Sequence, residues 1–123
     1  MLFPLQVQPE ASTSVLATYF YNELNTIKNT AFSLPLPSKL YVKEHPCQNA
    51  PYWLGERSRD FSFYDDLVSY RNVKLVPMNQ PHFDLLDRSQ AVVTVMGAVG
   101  WEALVRGKPV LLFGHPWYKG CEG

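Results

Sequence analysis

Residues 43–46 read Lys-Glu-His-Pro, a combination of types that binds anions. The side chains of Lys43 and His45 can both donate hydrogen bonds to phosphate oxygens. Pro46 would fix the turn that aims the imidazole, because the proline ring locks its own backbone. The same residues also suit a solvated strand end with a structural proline, so the residue types alone leave both interpretations open.

A glycine turn forms the second stretch whose residues could bind a ligand. Gly97 and Gly100 enclose Ala98 and precede Glu102. A strand, a glycine turn and a helix in this order bring free backbone N–H groups to the positive end of a helix dipole, which suits a phosphate. The glycines would let that phosphate approach the main chain, and Glu102 could accept hydrogen bonds from ribose hydroxyls. The turn is neither a GxGxxG fingerprint nor a Walker loop, so a plain turn with a dipole-matched glutamate is the alternative.

The remaining candidate side chains favour structural roles. No metal-ligand spacing links the histidines, which are His45, His82 and His115. We therefore expect no metal, and His82, which opens a short helix without a spaced partner, is interpreted as a surface residue. Asp65 and Asp66 cannot face each other on a helix and are expected on a solvated face. The tryptophans, at positions 53, 101 and 117, are interpreted as packing residues rather than a stacking platform.

Short apolar runs that alternate with amphipathic stretches must position these residues. The predicted strands cover residues 2–7, 39–43, 72–77, 90–95 and 109–113. The run at 90–95 is almost continuously apolar, which is typical of a strand buried on both faces of a parallel sheet, and 109–113 is interpreted in the same way. The alternation predicts an α/β fold with a mostly parallel, doubly wound, Rossmann-like sheet. Ligands bind such sheets beyond the carboxyl ends of the strands, where both stretches fall.

Helices are expected between these runs. The first is predicted to begin at Ser12 or Ser14 and to be broken by the proline-rich stretch at 34–38. Its apolar side would carry Val15, Tyr19, Leu24 and Ile27, and its polar side Asn22, Glu23, Lys28 and Asn29. Others are predicted over 61–70, 83–88 and 101–106. In the helix over 61–70, the inward face would carry Phe61, Tyr64, Leu67 and Val68. Gly107 is expected in the C′ position after the last helix. Residues 47–59 lack a clear period and are interpreted as a surface loop.

Composition limits the classes of function. The chain has 123 residues, 46% of them hydrophobic, which is enough for one packed domain. The formal net charge is zero, which argues against a general nucleic-acid-binding protein. No long apolar run occurs, so no transmembrane helix is expected, and the first residues are not interpreted as a secretory signal. Cys47 and Cys121 lie far apart and are expected to be free thiols in a reducing compartment, so a cytoplasmic location is predicted.

The order of three motifs resembles the capsule polysaccharide biosynthesis family, which includes Kdo transferases. These motifs are a strand ending in His-Pro at 40–46, a strand beginning Asn-Val at 72–77, and Gly-x-x-Gly-x-Glu-Ala-Leu-x-x-Gly-Lys-Pro-Val at 97–110. The similarity runs from about residue 2 to residue 118. The last motif alone also occurs in sugar-nucleotide epimerases and other GT-B glycosyltransferases, and it becomes considerably more specific together with Lys-x-His-Pro.

The resemblance implies the C-terminal, nucleotide-sugar-binding half of a GT-B glycosyltransferase. The donor would be a CMP-activated acid sugar such as CMP-Kdo, with no metal and no further cofactor. The implied nucleotide- and phosphate-binding residues are Lys43, His45, Pro46, Gly97, Ala98, Gly100 and Glu102. Among them His45 would contact the donor phosphate and Glu102 the ribose. Gln6 and Glu10 would face the cleft between the two halves.

One departure from the family pattern concerns the glycine turn, which often carries Ser or Thr. Gly97 and Ala98 supply no hydroxyl here, so the phosphate contacts of the turn would rest on backbone N–H groups alone. The acceptor glycan and the catalytic base are expected on an N-terminal domain that residues 1–123 lack. The chain is therefore expected to be a fragment or a truncated product, inactive by itself, and its catalytic residues stay unknown.

Two alternatives remain open. A UDP-sugar GT-B transferase or a sugar-nucleotide epimerase would share the glycine turn. A non-catalytic α/β binding module is the other, favoured slightly by the missing hydroxyls at positions 97 and 98. The expected partners are a nucleotide sugar and, through the missing domain, a glycan acceptor, in a pathway of capsule polysaccharide biosynthesis and transport. No nucleic-acid partner is expected, and the full-length protein would be compatible with peripheral membrane association.

Overall fold

A parallel sheet forms the centre of the computed structural model, which describes residues 1–10, 12–52, 55 and 58–121. Within these residues five strands pair in the order β3-β2-β1-β4-β5, and every pair is parallel. The strands are β1 (Leu2–Pro4), β2 (Leu40–Lys43), β3 (Val73–Val76), β4 (Val92–Thr94) and β5 (Val110–Leu112). The predicted α/β, Rossmann-like architecture is thereby confirmed.

The strand order reverses beside β1. The chain first runs outward from β1 through β2 to β3, and then returns to the other side of β1 with β4 and β5. Leu2 consequently pairs with Tyr41 on one side and with Val92 on the other. In a doubly wound sheet this reversal opens a crevice at the carboxyl ends of the strands. The end of β1 therefore lies at the place where a ligand is expected.

Helices cover both faces of the sheet. They are α1 (Glu23–Ser33), α2 (Phe61–Ser69), α3 (His82–Arg88) and α4 (Val99–Val105). Successive residues of β1 point to opposite faces, so Phe3 joins the cluster under α1 and α2 while Leu2 joins the cluster under α3 and α4. Both side chains are fully buried. Within the described ranges, no helix combines the length and the apolar character that crossing a bilayer requires.

The segment between β1 and α1 differs from its prediction. β1 ends at Pro4 rather than at residue 7, since the Gln6 N–H donates to the Glu23 carboxylate instead of to a strand. The single helix expected from Ser12 or Ser14 is wrong. A π-helical turn (Ser12–Leu16) and a 3-10 turn (Thr18–Phe20) precede α1, and Thr18 has a φ of 52°. α1 begins only after Asn22, whose side chain accepts from the Asn25 N–H.

Several predicted environments are also wrong. Val15 and Tyr19 are exposed instead of buried, whereas Glu23, expected on the polar face, is 2% exposed. The inward face predicted for α2 is wrong for Phe61 and Val68, which are exposed, and right for Leu67. The described part of the 47–59 loop buries Gln48 and Arg59. β5 is an edge strand whose Leu111 is exposed, so it is not buried on both faces.

Other expectations are confirmed. β4 is buried along its whole length, and the remaining strands lie within the predicted ranges. α2 begins after Asp60, whose carboxylate accepts from the Phe63 N–H. Asp65 and Asp66 are exposed on that helix. Gly107 has a φ of +66°, a conformation that favours glycine and that ends α4.

Candidate functional site

A cavity of about 330 Å³ opens at the carboxyl ends of β1, β2 and β4. All of the sequence-predicted site residues except Gly100 line it, namely Gln6, Glu10, Lys43, His45, Pro46, Gly97, Ala98 and Glu102. Its wall also includes His82, which the sequence pattern placed on the surface, and Glu44. Segments that are far apart in the chain thus meet at one crevice, because the carboxyl ends of parallel strands share one edge of the sheet.

The glycines of the turn are required by packing. A Cβ atom on Gly100 would lie 2.3 Å from the Tyr118 hydroxyl, and one on Gly97 would lie 2.3 Å from Nε2 of Gln6. Gly100 is buried beneath the Tyr118 ring and does not reach the cavity. The prediction that Gly100 lets a phosphate approach the main chain is therefore wrong, whereas Gly97 lies on the cavity wall.

A threonine of β4 contributes a hydroxyl to this turn. Oγ1 of Thr94 accepts a hydrogen bond from the Gly97 N–H at 3.2 Å and lies 3.5 Å from Nε2 of Gln6. The Gly100 N–H donates to the Gly97 carbonyl. Two of the backbone donors expected to contact phosphate are thus used within the turn. Among the described residues, the N–H groups of Ala98 and Val99 are left without a protein acceptor.

The ring of His45 is held in one tautomer. Its Nδ1 accepts a hydrogen bond from the Cys47 N–H at 3.1 Å, and its main-chain N–H donates to Oε1 of Glu44 at 2.6 Å. An accepting Nδ1 places the ring proton of the neutral form on Nε2. Burial lowers the pKa of the His45 imidazole, although the Glu44 carboxylate opposes this shift. At neutral pH His45 therefore offers a neutral Nε2–H donor.

Lys43 is buried at the end of β2, with only 4% of its surface exposed. Its Nζ donates to the Met78 carbonyl at 3.0 Å, which ties the ammonium to the segment that follows β3. An ammonium carries three donors, so the lysine keeps hydrogens for a second acceptor. Burial lowers the pKa of Lys43, and the neighbouring Glu44 opposes this shift. Lys43 is also one of the residues that line the cavity.

Glu102 has a partner that sequence reasoning missed. Oε2 of Glu102 lies 2.8 Å from Nε2 of His82, and both side chains are about one-third exposed at 37% and 33%. Glu102 lies in the first turn of α4, as predicted. His82 is partly exposed, and its contact with Glu102 is one that the sequence spacing did not predict. Pro81 at the start of α3 marks where that helix begins, but no spacing links residues that are 20 positions apart.

A buried ion network braces the strand ends beneath the cavity. The guanidinium of Arg59 contacts one carboxylate oxygen of Glu23, and it donates to Oε1 of Glu44 at 2.5 Å. It also donates to the Gln6 carbonyl at 2.5 Å. The hydroxyl of Tyr64 donates to the other oxygen of Glu44 at 2.7 Å. The network joins the segment after β1 to the end of β2, which are the two segments that carry Gln6 and His45.

Desolvation dominates the electrostatics of this network. Burial raises the pKa of Glu23 to about 7, although the positive charge of Arg59 and the Gln6 N–H oppose this shift. Glu23 and Arg59 are both charged residue types, which sequence patterns assign to the surface. Their ion pair makes their burial tolerable, together with the contacts of Arg59 to Glu44 and of both side chains to the Gln6 main chain. The sequence carries no spacing signal for this pair, since 36 positions separate them.

The remaining candidates have simple environments. Glu10 lines the cavity, and one of its carboxylate oxygens accepts from the Thr13 hydroxyl at 3.0 Å. Trp101 and Trp117 are exposed and therefore not core residues, but their rings pack against each other with centroids 4.9 Å apart. Trp53 lies outside the described residues. In the part of the chain that the structure describes, no three His, Cys, Asp or Glu side chains gather as a metal site.

The residue types of the cavity wall suit a polar ligand that carries a phosphate and hydroxyl groups. One wall includes Lys43 and His45, whose side chains are donor types for phosphate oxygens. The opposite segment offers the Glu102 carboxylate, which only accepts hydrogen bonds when it is ionised and therefore suits hydroxyl donors.

Comparisons with known proteins find matches to both the sequence and the fold of this chain. The family of capsule polysaccharide biosynthesis proteins matches residues 1–122. The capsule polysaccharide modification protein LipA of Neisseria meningitidis serogroup A is 31% identical over 91 residues, which are 74% of this chain and 12% of LipA. The solved structure of Thermosulfurimonas dismutans KpsC, a beta Kdo 2,7 transferase, matches with a TM-score of 0.74 and 25% identity.

The matched region is most of this chain but a small part of each relative. The KpsC comparison covers 97% of this chain but 34% of the KpsC chain. This chain therefore spans only a minor part of the relatives that it matches. The family match, by contrast, includes every strand and helix of the sheet and every residue of the cavity wall. The chain belongs to the capsule polysaccharide biosynthesis protein family.

Proposed function

We propose that this chain is the donor-binding part of a capsule glycosyltransferase and that its donor is a CMP-activated acid sugar such as CMP-Kdo. One observation carries the proposal. The cavity at the switch point brings Lys43 and His45, from the end of β2, together with Glu102 of α4. Phosphate donors and a hydroxyl acceptor within one cavity of about 330 Å³ match the two ends of a ribose phosphate.

The phosphate is proposed to lie beside the end of β2. There the Lys43 ammonium supplies a positive charge and the His45 Nε2–H supplies a directed donor. The Ala98 and Val99 N–H groups complete this side, since they have no protein acceptor among the described residues. The Thr94 hydroxyl holds the turn through the Gly97 N–H, so it fixes the backbone near the proposed phosphate without replacing the hydroxyl missing at positions 97 and 98.

The ribose is proposed to lie beside α4, where the Glu102 carboxylate accepts from its hydroxyls. The preference for cytidine over uridine rests on the resemblance to Kdo transferases, because CMP activates Kdo. KpsC is a beta Kdo 2,7 transferase, which favours the same donor class. A UDP-sugar transferase or an epimerase would use the same turn with a different nucleotide.

The acceptor glycan is proposed to bind elsewhere in a larger, two-domain GT-B protein. This chain matches 12% of LipA and 34% of the KpsC chain, which leaves most of each relative for other functions. We expect the catalytic base in that other part, so this chain alone should bind nucleotide without transferring sugar. We further propose a cytoplasmic location, where nucleotide sugars are made, with peripheral membrane association of the full-length protein.

Isothermal titration calorimetry with CMP and UDP tests the proposal. CMP should bind more tightly than UDP, and His45→Ala should weaken CMP binding about tenfold, the loss typical of a hydrogen bond to a charged group. His115→Ala is the matched control, because His115 is exposed and lies outside the cavity wall. Tighter binding of UDP would contradict the CMP assignment. Equal CMP affinity of His45→Ala and the unaltered chain would contradict the phosphate site.

A further inference from the structure

We infer that His82 is a positioning residue of this same site, which holds one oxygen of Glu102 so that the other can accept from the ribose hydroxyls of a nucleotide. The inference rests on the proposed function, because it takes the ligand of the cavity to be a ribonucleotide. It adds a residue that lies outside every motif of the chain, at the start of α3.

The two oxygens of the Glu102 carboxylate have different surroundings. Nε2 of His82 lies 2.8 Å from Oε2 of Glu102 and donates to it. Among the described residues, Oε1 of Glu102 has no hydrogen-bond partner. Both side chains line the cavity. The oxygen without a protein partner is therefore the one that can accept from a ligand, and the other is already committed to the imidazole.

The imidazole of His82 is itself restrained. Its ring makes an edge-to-face contact with the ring of Phe83 at 5.4 Å between centroids. The guanidinium of Arg106 packs over the same Phe83 ring at 4.6 Å and pairs with Asp87. A free glutamate samples many rotamers, and ordering it on ligand binding has an entropic cost. A His82 ring held by Phe83 can fix Glu102 before the nucleotide arrives, which lowers that cost.

A purely structural ion pair would look similar in the unliganded chain. Partly exposed pairs contribute little to stability. The two roles differ in how they depend on the ligand. If His82 orients Glu102 toward the ribose, its removal weakens only nucleotides that carry ribose hydroxyls. If His82 merely supports the fold, its removal affects every nucleotide alike.

The experiment compares CMP with 2′,3′-dideoxycytidine 5′-monophosphate, which lacks both hydroxyls. The unaltered chain should prefer CMP by about fivefold, a typical net value for a hydrogen bond. His82→Ala should abolish this preference without changing the affinity for the dideoxy nucleotide. His82→Gln should restore the preference, because its amide N–H can donate to Glu102. Glu102→Gln should also change the ¹⁵N shift of the His82 imidazole in the absence of nucleotide.

Each contrary outcome is specific. Equal weakening of both nucleotides in His82→Ala, or failure of His82→Gln to restore the preference, would overturn the positioning role while leaving the CMP site intact. If Glu102→Gln leaves the ¹⁵N shift of the His82 imidazole unchanged, the contact between the two side chains is disproved. If the unaltered chain binds no CMP, the proposed function fails and this inference fails with it. Circular dichroism of each variant separates these outcomes from loss of folding.

Discussion

The Tyr118 hydroxyl donates a hydrogen bond to the main-chain carbonyl of Gly97 at 2.5 Å. Burial raises the pKa of Tyr118 to about 12, so the hydroxyl keeps its proton at neutral pH. The contact joins the segment after β5 to the turn between β4 and α4. The turn at the cavity wall is thus held by a residue that lies outside the cavity.

Tyr118→Phe should destabilise the chain by about 1 kcal/mol, because the Gly97 carbonyl loses its donor while the ring remains in place. The free energy of unfolding from urea titrations measures the loss. Tyr19→Phe is the matched control, since Tyr19 is 92% exposed and should change stability by less than about 0.5 kcal/mol. Equal stability of the two variants would show that the Tyr118 hydrogen bond adds nothing to the free energy of unfolding.

Gly100→Ala should destabilise the chain by about 1–3 kcal/mol, despite the higher helix propensity of alanine. The added Cβ would lie 2.3 Å from the hydroxyl and 2.8 Å from Cζ of Tyr118, which is 2% exposed and has little room to move. Thermal unfolding followed by circular dichroism measures the effect. The same substitution in a Tyr118→Ala background should cost far less, and equal losses in both backgrounds would contradict the clash.

Glu23 should make stability depend on pH. Burial raises the pKa of its carboxyl from 4.5 to about 7, so the folded chain binds this proton more tightly than the unfolded chain does. The contribution of Glu23 is therefore most favourable below pH 4.5 and is lost as the pH rises through 7. The slope is at most about 1.4 kcal/mol per pH unit within that window.

The measurement for Glu23 is a series of urea unfolding curves between pH 5 and pH 8. The free energy of unfolding of the unaltered chain should fall with rising pH more steeply than that of Glu23→Gln. Asp66→Asn serves as the control, because Asp66 is exposed on α2 and should keep the slope of the unaltered chain. Parallel curves for Glu23→Gln and the unaltered chain would disprove the raised pKa.

The His45 imidazole should titrate below its ordinary pKa of 6.5, because burial disfavours its charged form. The folded chain then binds this proton less tightly than the unfolded chain, so the contribution of His45 to stability is lost as the pH falls below 6.5. Long-range ¹H–¹⁵N NMR should give a titration midpoint below 6.5 and an Nε2–H tautomer at neutral pH. A midpoint above 6.5, or a proton on Nδ1, would contradict the arrangement seen with Cys47.

Much of the sheet is predictable from apolar runs. The continuous run that contains β4 is buried as expected, because a central parallel strand has no polar face. The helix before Gly107 ends where predicted, since a positive φ favours glycine at that point. The segment 12–22 was not predictable from period alone. Its apolar residues recur at helical spacing, yet Thr18 interrupts the backbone and leaves Tyr19 in solvent.

The residues of the cavity wall are predictable where they belong to short sequence motifs. Lys43 ends β2, His45 follows two positions later, and Glu102 lies in the first turn of the helix that follows β4. The sheet topology then brings them together. Contacts that depend on tertiary packing have no such motif in the sequence. Arg59 and Glu23 have a charge that favours the surface, and they are buried because they pair with each other across 36 positions and Arg59 also pairs with Glu44. The contact of His82 with Glu102 likewise arises only because α3 and α4 lie side by side on one face of the sheet.

The central place of β1 has a consequence for biosynthesis. A ribosome makes β1 before both of its neighbours, and the partner on its second side, Val92, follows 90 positions after Leu2. Until β4 emerges, one edge of an apolar strand stays unpaired, and such edges can join strands of other nascent chains. Slow translation between β2 and β4 should therefore increase aggregation and chaperone capture of this chain, whereas slow translation after β5 should not.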